Sequence, residues 1–346
     1  MRATVVLGSS LGTKLLAQWS AVQQSQPAFS SPCLRPELFI AVAASSPKVH
    51  VAVIEDDRRG LAFLPFERTR LPVARPVFLS DYQALITTDP AAWDATEVLR
   101  ACGLYAWDFS AMPAPRPRMK DARLIAAHRS PVMDLSRGYE AYRADLRARG
   151  NSLRNLENKT RWLARDHGAL RFVPRCRDRE LLHGLLAWKA QRFTSNDSYP
   201  VSVVRPLEAA LACDQDVFEG VLSALFTGDK LVAAHLGMRS GTAYHYWFGA
   251  YDPELSRYTP GMILVDCLAR HAHEFGARTI DLGPGGEQYK EYFGNGSIEL
   301  WSGSVARPCV AAGRTAVQLL GKAVRSFPAL HRSLRPVVRG WRSKIL

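Results

Sequence analysis

Residues 232–264 read VAAHLGMRSGTAYHYWFGAYDPELSRYTPGMIL. Apolar and aromatic runs at about 231–239 and 243–251 predict two neighbouring strands. A helix then opens on Pro260-Gly261 and runs to about Phe275, where Gly276 suits a helix C-terminus. Proline is at home in a first helical turn, but glycine beside it leaves backbone N–H groups uncovered. A strand that delivers the chain to the positive end of a helix makes either a plain turn or a seat for an anion.

Upstream, VLSALFTGDKLVAAHLGM (221–238) reads as a hairpin turning at Gly228-Asp229-Lys230. VHVAVIEDDRRGLAFLPF (49–66) reads the same way around a polar turn from Asp56 to Gly60. Ala52 and Ala62 are ten apart, as are Ala224 and Ala234, so the two hairpins overlay without a gap, which points to an internal duplication. The N-terminus predicts a strand and helix rather than a signal peptide. Helical patterns cover about 137–149, 152–167 and 178–193, with the strand LRFVP between the last two and a polar loop after them. Downstream come a strand in RTIDLG, a short helix in GEQYKEYF and a last strand in SIELWSG. The Pro- and Arg-rich segment 110–131 predicts a linker. The expected fold is α/β, a mixed and mostly antiparallel sheet with flanking helices, in two similar halves: 1–115, a linker 116–133, 134–305, then a basic tail 306–346.

No apolar run approaches the ~20 residues of a membrane span. The six cysteines, Cys33, Cys102, Cys176, Cys213, Cys267 and Cys309, are scattered in the manner of reduced thiols in a cytoplasmic protein. Of the net charge of +13, nine charges lie in the 47 residues after Glu299, which contain no acid. There Leu330, Leu334, Val337, Trp341 and Ile345 recur at helical spacing with Arg332, Arg335, Arg339 and Arg342 mostly between them. Such a cationic amphipathic tail suits the anionic inner surface of the membrane, a tail docked on its own domain or partly disordered, or nucleic acid.

Three antiparallel strands, a helix with an exposed N-terminus, a strand, a short helix and a closing strand resemble the core of GNAT acyltransferases. More closely, LSDYQALI (79–86), SLRNLENKTRWLARDHG (152–168), the stretch 232–264 and IDLGPGGEQYKEYFG (280–294) resemble the CelD/BcsL-type branch. That branch is linked to cellulose and exopolysaccharide production, has two GNAT-like halves and is related to FemAB-type peptidoglycan aminoacyltransferases. The likeness spans most of residues 1–305. It implies acyl-CoA as cosubstrate, its pyrophosphate held at the helix N-terminus by Ser256, Arg257, Thr259 and Gly261. The match departs from the family where Arg257 stands four rather than three residues before Gly261, and where Ile263 replaces a second glycine. The implied activity is N-acyl transfer from a thioester to an amino group of a surface polysaccharide or lipid-linked sugar precursor. The alternatives are a FemAB-like transferase using aminoacyl-tRNA, which would be the one nucleic-acid partner, and a non-catalytic adaptor.

Acyl transfer to an amine needs a polarised carbonyl, a proton acceptor and a protonated or shielded leaving thiolate. Backbone N–H groups within 247–251 would polarise the carbonyl. His235, mid-strand among apolar neighbours, is the first candidate base, its ordinary pKa of about 6.5 being suited to the task. The same setting suits a structural, hydrogen-bonded imidazole. Asp81 and Glu287 are the rival carboxylates. Tyr289 lies where the resemblance implies a tyrosine facing the departing sulfur, with Tyr251 as the alternative acid. Lys189 and Arg192, one helical turn apart, and Lys290 are candidate cations for an anionic substrate. Asp281 and Gly283 read as positional, an inward carboxylate and a turn. Gly8-Ser9-Ser10-Leu11-Gly12 matches a nucleophile elbow, but no His/Asp pair in hydrolase order accompanies it. His271 and His273 fall on different helix faces without further ligands, so no metal is expected. No phosphate-binding or dinucleotide fingerprint occurs.

Overall fold

The computed structural model describes residues 1–120, 122–150, 153–193 and 198–314. The chain opens with strand β1 (Arg2–Leu7) and helices α1 (Thr13–Ser25) and α2 (Pro36–Ala43). Strands β2 (Val49–Asp56) and β3 (Gly60–Arg68) form the first expected hairpin. Short strands β4 (Val73–Arg75) and β5 (Ile86–Thr87) follow, then α3 (Ala95–Ala101), β6 (Ala106–Pro113) and β7 (Arg123–Asp134). Asp94 caps α3 by accepting the N–H groups of Thr96 and Glu97. Next come α4 (Tyr139–Ala148), α5 (Leu153–His167), β8 (Leu170–Cys176), α6 (Arg179–Phe193) and α7 (Val201–Ala212). A short β9 (Asp214–Gln215) precedes the second hairpin, β10 (Phe218–Thr227) and β11 (Lys230–Ser240), and then β12 (Ala243–Tyr251). Helix α8 (Pro260–Arg270), β13 (Thr279–Asp281), α9 (Gln288–Phe293) and β14 (Gly296–Ala306) complete the series.

All fourteen strands belong to one mixed sheet in the order β1-β2-β3-β4-β6-β14-β7-β13-β12-β11-β10-β8, with β5 on β3 and β9 on β10. Among the described residues, the β12–β13 and β4–β6 strand pairs are parallel and the other strand pairs antiparallel. This is the expected α/β fold, mostly antiparallel with flanking helices. Residues 116–133 are not a linker, however. Only Pro115 and Pro117 lie in the turn after β6, and from Arg123 the chain is a strand between β14 and β13 that includes Pro131. Its first half, Arg123–Ala127, is exposed, which explains the charge that reads as a linker. The closing strand β14 pairs with β7 on one side and with β6 of the first half on the other.

Helices cover both faces of β10 to β12, so these strands read as unbroken apolar runs. On one face Leu222, Leu236 and Trp247 pack with Trp19, Phe29 and Leu38 from the first half. On the other, Val221, Leu225 and Val232 meet Leu163 of α5 and Leu264 and Leu268 of α8. A third cluster joins Ile54, Leu64 and Trp107 to Val98 and Leu99 of α3. The two hairpins differ in register. Ala224 faces Ala234, whereas Ala52 faces Leu64, because the second hairpin has a tighter turn and an irregularity after Leu225. Helix α7 lies where the sequence reads as a polar loop. Pro206 sits inside it, yet Val203, Leu207, Ala210 and Leu211 are buried on one side.

The amphipathic tail expected over 306–346 falls largely outside the described residues. The last described residue, Arg314, makes a two-toothed ion pair with Asp108 of β6 at 2.6 and 3.0 Å. Because one core serves both halves, Leu222→Ala should cost about 2–5 kcal/mol and lower a single thermal transition. Two resolved transitions in calorimetry, with only one displaced, would mean that the halves unfold independently.

Candidate active site

Strands β12 and β13 pair for three positions only: Ala243 with Thr279, Tyr244 with Ile280 and His245 with Asp281. Beyond these, β12 runs on to Tyr251 along β11, while Leu282 N–H turns to the carbonyl of Pro131 beside β7. Gly283 holds φ +77°, a left-handed conformation unfavourable to other residues, and donates its N–H to Asp281 Oδ1 at 3.0 Å. The parted strands leave a cleft of about 530 Å3. Tyr246 and Trp247 lie along it, with Gly249 to Tyr251 and the start of α8 on one side and Leu282 to Lys290 on the other.

The start of α8 opens onto this cleft through Thr259 and Gly261. Thr259 precedes the helix in a left-handed conformation, φ +53°, and its buried Oγ1 finds no hydrogen-bond partner among the described residues. At Gly261 a Cβ would stand 3.0 Å from Tyr251 Cδ1, so glycine lets the Tyr251 ring lie against the first turn. Tyr251 is thus a wall of the cleft. Ser256 lines an adjoining chamber, also of about 530 Å3, together with Trp188 and Arg192. Arg257 is a correction to the expected phosphate site. It is largely exposed, stacks on Tyr258 at 4.5 Å and approaches Asp166 at 3.9 Å, and does not line the cleft. Its i−4 spacing from Gly261 turns it toward α5 instead.

Asp81, from the loop after β4, enters the same cleft from the first half of the chain. Its Oδ2 lies 2.8 Å from Nε2 of His245, a residue with no exposed surface. The other ring nitrogen, Nδ1, lies 3.0 Å from Asp281 Oδ2. Asp281 Oδ1 in turn accepts the Ser130 hydroxyl at 2.5 Å. Burial opposes charge on His245, but its electrostatic surroundings, with Asp281 and Asp81 on its two ring nitrogens, outweigh it and hold the imidazole well above its ordinary pKa. Burial likewise opposes charge on Asp281, and its contact with His245 overcomes that and holds the carboxyl below its usual range.

Tyr289 lines the cleft with its ring 6.2 Å from that of Tyr246. Burial, reinforced by Glu287, raises its pKa and keeps the phenol protonated, the form a proton donor requires. Glu287 also lines the cleft. Its carboxyl is pushed up by burial and pulled further down by Lys290, 3.0 Å away, so the net shift is downward. Lys290 is not placed as a substrate cation. It is nearly buried and donates to the Pro284 carbonyl at 2.8 Å, locking the Gly283–Glu287 loop. Lys189 and Arg192 do line the cleft. The Lys189 ammonium lies 5.1 Å from the Phe248 ring, and burial lowers its pKa.

His235 does not reach the cleft. It has no exposed surface and stacks on Tyr246 at 3.9 Å. Nε2 accepts the Trp247 backbone N–H at 3.2 Å, where the β11–β12 register shifts, so the ring proton sits on Nδ1, 3.2 Å from the Tyr244 hydroxyl. It is the structural imidazole of the two readings, and it also removes Trp247 N–H from the possible carbonyl donors. The residue that sequence reasoning misses is His245. Its neighbours in AYHYWF are aromatic, and its two carboxylate partners lie 164 and 36 residues away.

Residues 150–291 match the family described as the acetyltransferase (GNAT) domain. No curated protein matches the chain. Among solved structures, FemX aligns with a TM-score of 0.58 at 12% identity, over 92% of this chain and 99% of that one. A domain named as the C-terminal part of a lysylphosphatidylglycerol synthetase in Agrobacterium fabrum gives 0.53 at 14%, over 89% and 97%. A conserved protein from Bacteroides thetaiotaomicron gives 0.53 at 12%, over 84% and 97%. At such identities the likeness is one of fold. The second half of the chain is thus similar to a GNAT-type acetyltransferase domain over residues 150–291.

Burial lowers the His235 pKa far below the ordinary imidazole value, with His245 and Lys189 adding repulsion, so the ring stays neutral as pH falls through the ordinary value of ~6.5. Nitrogen-15 NMR should find His235 in one neutral tautomer, protonated on Nδ1, from about pH 8 down to about pH 5. A titration midpoint near ~6.5 would show that the ring meets solvent after all.

Proposed function

We propose that the protein is an N-acyltransferase that moves an acyl group from acyl-CoA to an amino group of a surface polysaccharide or lipid-linked sugar precursor. The observation that carries this reading is the cleft at the parted ends of β12 and β13, with Asp81 and Tyr289 both on its lining. The thioester occupies the slot, its phosphates toward the start of α8. Among the backbone N–H groups of 247–251, those other than Trp247 polarise the carbonyl. Asp81 takes a proton from the acceptor ammonium, and the amine attacks the carbonyl carbon. As the C–S bond breaks, Tyr289 protonates the leaving thiolate and recovers a proton from the attacking nitrogen, while Asp81 gives its proton to solvent. The balance is R–NH3+ plus R′CO–SR″ giving R′CO–NHR, R″SH and one H+.

The acceptor class follows the resemblance to the CelD/BcsL branch. In this reading the enzyme works at the inner face of the membrane, with the basic tail as its contact to anionic lipid. Among the described residues no helix is long and apolar enough to cross a membrane. A FemAB-like, tRNA-dependent reading has one observation of its own. The basic helix α5, with Arg154, Lys159, Arg161 and Arg165, braces the α8 entrance through a Lys159 Nζ bond to the Arg257 carbonyl at 2.7 Å.

Free thiol should be released from acyl-CoA only when an amino sugar is present, and Asp81→Asn should lower kcat/KM about 100-fold. Absence of release across a broad donor panel overturns the reading. Salt-sensitive binding of charged tRNA, with loss of affinity in Lys159→Ala, would favour the second reading instead.

A further inference from the structure

Asp81 does not stand alone at the cleft. It is the outer member of a row that continues through His245 to Asp281. An ionised carboxylate brings only lone pairs to a hydrogen bond, so the 2.8 Å and 3.0 Å contacts on the two ring nitrogens each require one proton. Asp281 already accepts the Ser130 hydroxyl and the Gly283 N–H, which favours its ionised form and leaves the inner proton on Nδ1. Two protons on the ring and two carboxylates give the row a net charge of −1. Shifting the outer proton from Nε2 to Asp81 Oδ2 would not change that sum.

The groups around the row come from several elements. Cys33 lies in the turn before α2 and Tyr82 lies beside Asp81, its ring 5.7 Å from that of His245 and nearly edge-on. His245 acts on His235 of β11 and on Tyr289 of α9, and Asp81 acts on Lys189 of α6. Asp81 carries 38% of its side-chain surface exposed, while His245 and Asp281 are shut off behind it.

We infer that Asp81, His245 and Asp281 form a fixed anionic dock for a primary ammonium, with His245 the positioning residue that holds Oδ2 of Asp81 so that Oδ1 meets the acceptor. This rests on the acyl-transfer reading and deepens it by giving the acceptor's ammonium a seat fixed by a buried row of side chains behind Asp81. The ammonium N–H bond breaks as an O–H bond forms on Asp81. Of the two protons the nitrogen loses overall, one ends on the leaving thiolate and one in solvent.

Three measurements on the full chain test the dock. Nitrogen-15 NMR of the wild type should show both His245 nitrogens protonated near pH 7, and glucosamine should shift those signals while N-acetylglucosamine does not. A neutral His245, or an equal response to both sugars, overturns the dock whether or not any acyl donor is turned over. In a catalytically active preparation, His245→Leu removes the donor to Asp81 Oδ2 and should raise KM for the amino sugar about tenfold with KM for the thioester unchanged, a loss that His245→Gln, which keeps an N–H donor, should largely restore. Equal KM values in all three proteins would reduce His245 to a packing residue. Absence of thiol release together with the expected NMR response would remove the acyl-transfer reading and leave the ammonium site standing.

Discussion

The parting of β12 from β13 is enforced from both sides. On its far edge β12 keeps its ladder with β11 as far as Tyr251, against Ala233. The chain after β13 is committed elsewhere, with Leu282 N–H on the Pro131 carbonyl and Gly283 N–H on Asp281. Closing the gap would break hydrogen bonds on one flank to make them on the other. Each is worth about 0.5–1.5 kcal/mol net, and buried groups left without partners cost more. The Lys290 bonds to Glu287 and Pro284 stiffen the far wall, so the opening is part of the folded state.

The first half of the chain is needed to complete this site. Asp81 arrives on a loop in which Leu79 holds φ +68°, a conformation costing roughly 1–2 kcal/mol for a residue with a Cβ. Neighbouring bonds keep it there: Ser80 N–H to the Val77 carbonyl, and Ser80 Oγ to the carbonyls of Cys33 and Tyr82. Tyr82 and Leu85 are buried immediately after. The loop is therefore anchored on both sides of Asp81, and the strain is concentrated two residues before the side chain that meets the cleft. Strand β14, shared between β6 and β7, prevents the two halves from moving apart as separate bodies.

Much of the fold was legible because period and burial agree. Strands β10 to β12 and helix α5 fall within a residue or two of their apolar patterns, since each is packed along its length. Strand β7 was hidden because half of it faces solvent and carries Arg123, His128 and Arg129 like a linker. Helix α7 was hidden by Pro206. At the site, Asp81, Glu287, Tyr289 and Gly261 were legible as polar or special residues at element ends, and they do share one cleft. The two histidines could not be told apart. Both lie in apolar strands, and only the sheet order, which puts β13 beside β12, gives His245 a carboxylate and leaves His235 with a backbone N–H and a tyrosine. Arg257 was read from its place before Gly261 and Lys290 as a candidate cation, but each has a nearby acid, Asp166 or Glu287.

That difference between the histidines also sets the electrostatic direction of the cleft. Two imidazolium ions this close would repel, and burial would penalise both. The structure avoids this by charging only the ring that sits between two carboxylates and using the other, neutral, to hold Trp247 where the strand register shifts. The charged row then places negative charge at Asp81, whereas Lys189 and Arg192 lie where the cleft meets the Ser256 chamber. The proposed ligand pair of opposite charge would meet a site already polarised for it, an anionic carrier at the chamber and the α8 terminus and an ammonium at Asp81. Reversing the two would set like charge against like at both ends, so the order of charges along the cleft by itself constrains which reactant lies where.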